Sequence, residues 1–339
     1  MSLQLVLGNS GAGKTEYLYS TIVKEASQNP DRDYLVIVPE QFTLQTQKKL
    51  VELSPNHAIM NIDVLSFKRL AYRVFDELGI NNIKVLEETG KNLVLRKIAQ
   101  EKKEELTVLK ANMGRMGYIS EVKSLLSELM QYNISPQQLH DHINSGKLSK
   151  SLCSKLEDVL VMYKGFIRFM EDKYITQEEI LTVLIDAAKD SGIIKDSVLV
   201  FDEFTGFTPI QNKLLTTLFP LVEKVYVTLT IDAREDFFHS RGMHELFDMP
   251  KKTIEALLRI AELTGTEVLE PIVLQKGNEY RFKDSEELYF LEQNLFRIKS
   301  DTYPGDCENI SISSLKNPKD ELTHVARQIN ELVQKKGYR

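Results

Sequence analysis

The stretch Gly8-Asn9-Ser10-Gly11-Ala12-Gly13-Lys14-Thr15 has the residue types and spacing to hold the phosphates of a nucleotide. It fits the pattern G-x-x-x-x-G-K-S/T at every fixed position. A chain wraps a phosphate by aiming successive backbone N–H groups inward, and glycines permit both that path and the close approach. A helix opening at Thr15 adds its positive N-terminal end. Lys14 would reach the β- and γ-phosphates, and Thr15 would ligate Mg²⁺. A second pair of residues completes the chemistry. A phosphate loop needs a carboxylate to position its metal, usually at the end of a neighbouring buried strand. Asp202 and Glu203 follow the apolar run Val198-Leu199-Val200-Phe201. Asp202 would hold the metal, and Glu203 would polarise the attacking water.

These residues need elements to carry them. Leu3, Leu5 and Leu7 mark a buried strand ahead of the loop, and a helix follows Thr15. Further strands are expected at 34–39 (YLVIVP), 58–67 (AIMNIDVLSF), 197–204 (SVLVFDEF), 224–232 (KVYVTLTID) and 309–315 (NISISSL). Strands alternating with helices predict an α/β fold with a parallel, doubly wound sheet. From 86 to 190 no strand-like run occurs. Apolar residues there recur at helical spacing: Val122, Leu125, Leu126, Leu129; then Leu156, Val159, Leu160, Tyr163, Phe166; then Ile180, Val183, Leu184. This predicts an all-helical insert between the two motifs and accounts for the 188 residues separating Lys14 from Asp202. A helix is expected at 251–264. His140 and His142, flanking Asp141, read as part of a polar loop, too few ligands for a metal site.

Composition narrows the function classes. The chain of 339 residues is 42% hydrophobic and 27% charged, as expected of a globular protein. It lacks an apolar run long enough to cross a membrane. The N-terminus enters the phosphate loop directly, so no signal peptide is expected. Two cysteines, Cys153 and Cys307, exclude a disulfide scaffold and a four-cysteine metal site within this chain. A cytoplasmic location is expected. The net charge of -6 neither favours nor excludes DNA, which requires a local basic track. Candidates are Lys68, Arg69 and Arg73, and a second group of Lys91, Arg96, Lys97, Lys102 and Lys103. Each is equally read as a solvated helix face. The chain stops just past a helix capped at Gly337, where a further strand would follow, so a longer parent polypeptide is expected.

Several stretches occur together in one order: LGNSGAGKT, VPEQFTLQ (38–45), VLSFKRLAYRVF (64–75), FDEFTGFTPIQ (201–211) and HVARQINELVQKKGYR (324–339). With them the chain resembles, over essentially its whole length, the N-terminal part of the AddB family, one component of bacterial AddAB helicase–nucleases. The resemblance implies a RecA-like P-loop domain of the superfamily-one helicase type. Its parts would be 1–85, with the phosphate loop, and 191–300, with the Walker B strand. The helical insert would be 86–190, and 308–339 would begin a second RecA-like domain. It implies ATP and Mg²⁺ as cofactors, and AddA, double-stranded DNA ends and single-stranded DNA as partners, without a membrane. It implies membership of a complex, Chi-responsive in the family, that processes double-strand breaks for homologous recombination. The alternative is a nucleotide-stabilised scaffold, binding DNA or a partner without hydrolysis of its own.

By position, VPEQFTLQ nominates Gln41 and Thr43 as single-strand contacts, and LSFKRL nominates Ser66, Phe67, Lys68 and Arg69. An aromatic can stack on a base, and a hydroxyl or cation can hold phosphate. Phe67 also reads as a core residue, and Gln41 and Thr43 as helix-capping residues. The nuclease domain and iron–sulfur cluster of the family are expected only in a C-terminal part outside this chain. Against an independent motor stand three departures, one being that the arginines that stabilise transferred charge come, in the family, from a second RecA-like domain of which only a start, about 308–339, is expected here. Active relatives carry Gly-Asp-x-x-Gln after the strand at 225–231, where this chain has Asp232-Ala233-Arg234-Glu235-Asp236. They also have an adenine-reading glutamine segment before the phosphate loop. LEQN (291–294) followed by Arg297 echoes a helicase motif that supplies an arginine, and equally reads as an amphipathic helix through Leu288, Leu291, Leu295 and Ile298.

Overall fold

The computed structural model describes residues 1–80, 84–112, 115–146, 148–171, 174–275, 281–297 and 301–338. The chain divides into two compact units, 1–275 and 276–339.

The first unit opens with β1 (Ser2–Gly8), α1 (Lys14–Gln28), β2 (Tyr34–Ile37), α2 (Thr43–Leu53), β3 (Ile62–Leu65) and α3 (Phe67–Glu77). Helices follow: α4 (Glu88–Glu101), α5 (Met116–Gln131), α6 (Pro136–Ile143), α7 (Lys150–Met170) and α8 (Ile180–Ala187). The alternation resumes with β4 (Val198–Phe201), α9 (Pro209–Leu218), β5 (Lys224–Thr230), α10 (Asp248–Thr264), β6 (Glu267–Val268) and β7 (Ile272–Leu274). The strands form one seven-stranded sheet in the order β3-β2-β4-β5-β1-β6, with β7 also on β1. Every pairing is parallel. The expected α/β architecture is present.

Parallel strands covered on both faces are apolar throughout. Side chains alternate between faces, so Leu3, Leu5 and Leu7 join one core and Val6 joins another. The first core gathers α3, α8, α9 and α10. The second, with Leu18, Tyr19, Ile22 and Leu50, lies under α1 and α2.

Helices α4 to α7 bury a separate core that includes Leu95, Val122, Leu126, Val159, Tyr163 and Phe166. Two chain segments meet at its base: Leu86 N donates to Ile175 O at 2.8 Å, and Ile175 N to Lys84 O at 2.9 Å. Helix α8 behaves differently from the stripe read at Ile180 and Leu184, because those residues are buried in the sheet's own core. His140 and His142 lie in a helix rather than a loop. Ser135 and Gln138 form a capping box at its start, with Pro136 in the first turn.

Three strand expectations change. The third strand is confined to 62–65. Two short strands, β6 and β7, were not foreseen. In the second unit, with α11 (Glu286–Asn294) and α12 (Pro318–Lys336), residues 309–315 form no ladder among the described residues. Alternation gives a chain the side chains of a strand but not a neighbour to pair with. Asn309 N and Glu308 N instead donate to the Glu287 carboxylate, at 2.6 and 3.1 Å. Leu288 and Leu291 lie on α11, Leu295 and Arg297 lie beyond it, and Ile298 is outside the described residues.

Candidate nucleotide site at the carboxyl edge of the sheet

Because the strands are parallel, the residues following β1, β2, β3, β4 and β5 emerge on one edge of the sheet, where ligands of such folds bind. The segment 8–15, the 3₁₀ turn 40–42, Ser66, Asp202 and Asp232 all lie there.

Gly8 ends β1 against β7, and a Cβ on it would stand 2.6 Å from Leu274 O. Gly11 and Gly13 have φ of 77° and 88°, a region that suits glycine. Ala12 N donates to Asn9 O at 3.2 Å, closing the turn. Lys14 Nζ donates to Gly8 O at 3.0 Å and to Asn9 O at 2.9 Å, so the loop curls around its own ammonium group. Helix α1 starts at Lys14, which directs its unsatisfied N-terminal amides at the loop. Ser10 is exposed, Ala12 is buried, and Thr15 is half-buried in the first turn.

Asp202 follows β4 with its amide donating to Ile37 O at 3.2 Å, and it is 2% exposed. Its Oδ1 accepts from the Thr228 hydroxyl on β5. Its Oδ2 is buried and has no hydrogen-bond partner among the described residues. A buried carboxylate oxygen without a donor is costly unless a cation or water completes it. Among the described residues no three His, Cys, Asp or Glu side chains could hold a metal by themselves. A magnesium ion on a nucleotide does not need such a cage. One carboxylate and a hydroxyl suffice when phosphates and waters supply the rest, so Asp202 and Thr15 fit it.

Glu203 is exposed and has φ of 63°. A left-handed glutamate costs on the order of 1–3 kcal/mol, and such strain clusters at functional sites. Phe201 and Phe204 flank it in sequence and, with Phe67 and Phe207, form an aromatic cluster with centroids 5.2 to 6.4 Å apart.

The residues nominated for single-stranded DNA gather beside this cluster, unequally placed. Ser66 and Phe67 are buried. Ser66 caps α3 by accepting from Arg69 N, and its hydroxyl donates to Glu40 Oε2. Arg69 Nε donates to Glu40 Oε1 at 3.0 Å. Gln41, Lys68 and Arg69 are exposed. Thr43 is buried and donates to Glu40 O at 3.0 Å. Glu40 therefore knits the β2 and β3 ends together. In the second basic group, Lys91 is buried against Glu178 and Glu88, and Lys97 lies 5.6 Å over the Phe169 ring.

Three features escaped the sequence reading. Tyr19 is one helical turn past Thr15, buried, with its hydroxyl 3.1 Å from Thr46 Oγ1 on α2. Burial, then the Asp202 carboxylate beside it, push this hydroxyl well above its ordinary pKa and keep it protonated. Thr228 is a hydroxyl inside the apolar run KVYVTLT, and that interruption was a readable signal. Beyond β5, Ile231 N donates to Gly8 O at 3.1 Å, and Ala233 N to the Asn9 side chain at 3.2 Å. Arg234 grips the buried Asp232 carboxylate through Nε and Nη2 at 3.0 and 2.6 Å.

The family model described as "ADDB, N-terminal" matches residues 5–292. The B component of an ATP-dependent helicase/deoxyribonuclease from Lachnoclostridium phytofermentans is 40% identical over the whole chain. Proteins of the same description from Clostridium tetani and Caldanaerobacter subterraneus are 32% and 34% identical, over 100% and 98% of the chain. The chain spans about 30% of the length of these relatives, 28% for the last. No helix among the described residues is long and apolar enough to cross a membrane. With the phosphate loop, the acid pair and the parallel sheet that carries them, the chain belongs to the AddB N-terminal family.

Proposed function

We propose that this chain is the helicase-like, ATP-binding N-terminal part of an AddB-type protein, acting in a cytoplasmic helicase–exodeoxyribonuclease complex with an AddA partner. The complex would process double-stranded DNA ends for homologous recombination, with Chi responsiveness as in the family. Gly8 to Thr15 would cradle the phosphates. Lys14 would exchange its loop carbonyls for the β- and γ-phosphates. Thr15 and Asp202 would hold Mg²⁺, which when bound neutralises phosphate charge. Glu203 would orient a water as the catalytic residue. Gln41, Lys68 and Arg69 would touch single-stranded DNA directly, with Ser66, Phe67 and Thr43 shaping that surface from beneath. Nuclease chemistry and an iron–sulfur cluster would belong to the remaining length of the AddB-type polypeptide.

The observation that carries this reading is the buried Asp202 Oδ2, without a donor among the described residues, on the same sheet edge as the loop 8–15. The test is equilibrium binding of Mg-ATP and single-turnover hydrolysis, with and without single-stranded DNA, against Lys14→Ala. Binding that is lost in the variant supports the reading; no binding by the native chain refutes it.

A second reading, a clamp that binds without turnover, is favoured by the Asp232–Arg234 pair. It occupies the segment where active relatives carry their γ-phosphate-sensing glutamine. Binding with no hydrolysis in the native chain is its expected outcome. Hydrolysis abolished by Glu203→Gln would instead assign turnover to this site.

A further inference from the structure

Strands β4, β5 and β1 are neighbours in that order, so the residues leaving β5 stand between Asp202 on one side and the loop 8–15 on the other. The ladder fixes this placement. Gly8 pairs with Thr230, and Phe201 pairs with Val227. Ile231 N then donates to Gly8 O at 3.1 Å, and Ala233 N to Asn9 Oδ1 at 3.2 Å, which ties the segment 231–233 to the opening of the loop. The next residue is Arg234.

Asp232 holds this arginine in place. The Arg234 backbone N–H and Nε both donate to Asp232 Oδ1, at 2.9 and 3.0 Å, and Nη2 donates to Asp232 Oδ2 at 2.6 Å. The Asp232 side chain is 4% exposed and that of Arg234 is 58% exposed. A buried carboxylate therefore grips one edge of a guanidinium that stands at the surface. A guanidinium is planar, with five N–H donors in a rigid fork. Fixing Nε and Nη2 thus also fixes the direction of the remaining donors. A lysine would carry the charge without that direction.

The flanking residues define what such a cation would meet. In a loop of this type the helix end cradles the inner phosphates, and the lysine reaches outward to the β- and γ-phosphates. A metal on Asp202 would bridge the β- and γ-phosphates from the other side. The space between the opening of the loop and Asp202 is then where a terminal phosphate would project, and the residues after β5 border it. We propose that Arg234 is a further phosphate-binding residue, contacting the γ-phosphate and making the site prefer a nucleoside triphosphate to a diphosphate. This rests on the nucleotide-binding reading above. Asp232 is a positioning residue that acts through Arg234.

The test compares two nucleotides. Affinities of the full chain for a Mg-bound, non-hydrolysable ATP analogue and for Mg-ADP are measured by isothermal titration. They are measured again for Arg234→Ala, for Arg234→Lys and for Arg234→Ala combined with Asp232→Asn. Arg234→Ala is expected to weaken the analogue about 10- to 100-fold, the worth of a hydrogen bond to a charged group, and ADP by no more than about twofold. Arg234→Lys, which keeps the charge and loses the fork, should recover only part of that loss. Removing the arginine alone strands the buried Asp232 charge, so thermal unfolding accompanies each titration. The double variant lacks that charge and carries the test if Arg234→Ala does not fold. A folded alanine variant with native affinity for the analogue overturns the proposal. So does one that loses affinity for the analogue and for ADP alike. In both cases binding by the native chain leaves the nucleotide-binding reading intact. A native chain that binds neither nucleotide removes both.

Discussion

Lys91 Nζ lies 2.9 Å from Glu178 Oε2, with the two side chains 2% and 9% exposed. The lysine also reaches Ser127 Oγ at 3.4 Å and Glu88 at 3.1 Å, so it joins α4, α5 and the turn ahead of α8. A buried pair is worth little against an apolar replacement of both partners, but breaking it strands a charge. Lys91→Met is therefore expected to lower stability by about 3–5 kcal/mol in denaturant unfolding. Lys91→Met with Glu178→Leu should recover much of that. Affinity for DNA, measured on the folded fraction, should not change, because Lys91 is not on the surface. A native-like unfolding midpoint for the single variant would show that the pair is dispensable.

The neighbouring Glu88 provides a pH signature. Lys123 at 2.7 Å, opposed by partial burial and helped by Lys91, holds its carboxyl below the ordinary value of 4.5. A depressed carboxyl stabilises the fold above its unfolded pKa, and that contribution disappears as pH falls through the folded value. Glu88 is half exposed, so screening limits the effect to about 0.2–1 kcal/mol. Stability of Glu88→Gln should converge on that of the native chain only below about pH 4.5, with the deficit present from there up to neutrality. A deficit that persists undiminished at about pH 3 would contradict this assignment.

Gly8 is required by packing rather than by dihedral freedom. A methyl group there would meet the Leu274 carbonyl at 2.6 Å, and backbone atoms on a paired strand cannot move aside as a flexible side chain can. Gly8→Ala should cost about 1–3 kcal/mol, as overpacking does. It should also weaken Mg-ATP binding, since the same residue opens the phosphate loop. Isothermal titration beside thermal unfolding separates the two; a variant that matches the native chain in both would mean that β7 yields.

The loop 8–15 and the pair Asp202 and Glu203 could be nominated from the sequence because the chemistry proposed for them fixes residue types at short spacing. The parallel sheet was legible because its strands are apolar on both faces. What escaped was non-local. Tyr19, Thr46, Thr228 and Asp202 come from four elements, and no spacing relates them. Strands β6 and β7 cover two and three residues, too short for periodicity, although VLEPIVL is apolar around its proline. Residues 309–315 alternate as a strand should, yet a ladder depends on a partner that the segment itself does not specify. Lys91 lies among exposed charges in the sequence, and only tertiary packing separates it from Lys97.

Phe67 and Lys68 are adjacent, yet they should respond to substitution in different ways. Phe67 packs at 5.8 Å from Phe201 and 5.5 Å from Phe204, and it is buried. Phe67→Ala should cost about 3–5 kcal/mol in stability. The milder Phe67→Leu should leave single-strand affinity near native, because no face of the ring is open to a base. Lys68 is exposed at the start of α3. If it meets a phosphate, Lys68→Ala should weaken binding to all sequences alike and reduce the slope of log K against log salt by about 0.7. Arg69→Ala should do less to the slope, since Glu40 already neutralises Arg69, and more to stability, since the Glu40 carboxylate then keeps Ser66 but loses Arg69. Salt titrations of the three variants decide the matter. A folded Phe67→Leu that loses more single-strand affinity than Lys68→Ala would place the aromatic ring, not the cation, at the DNA.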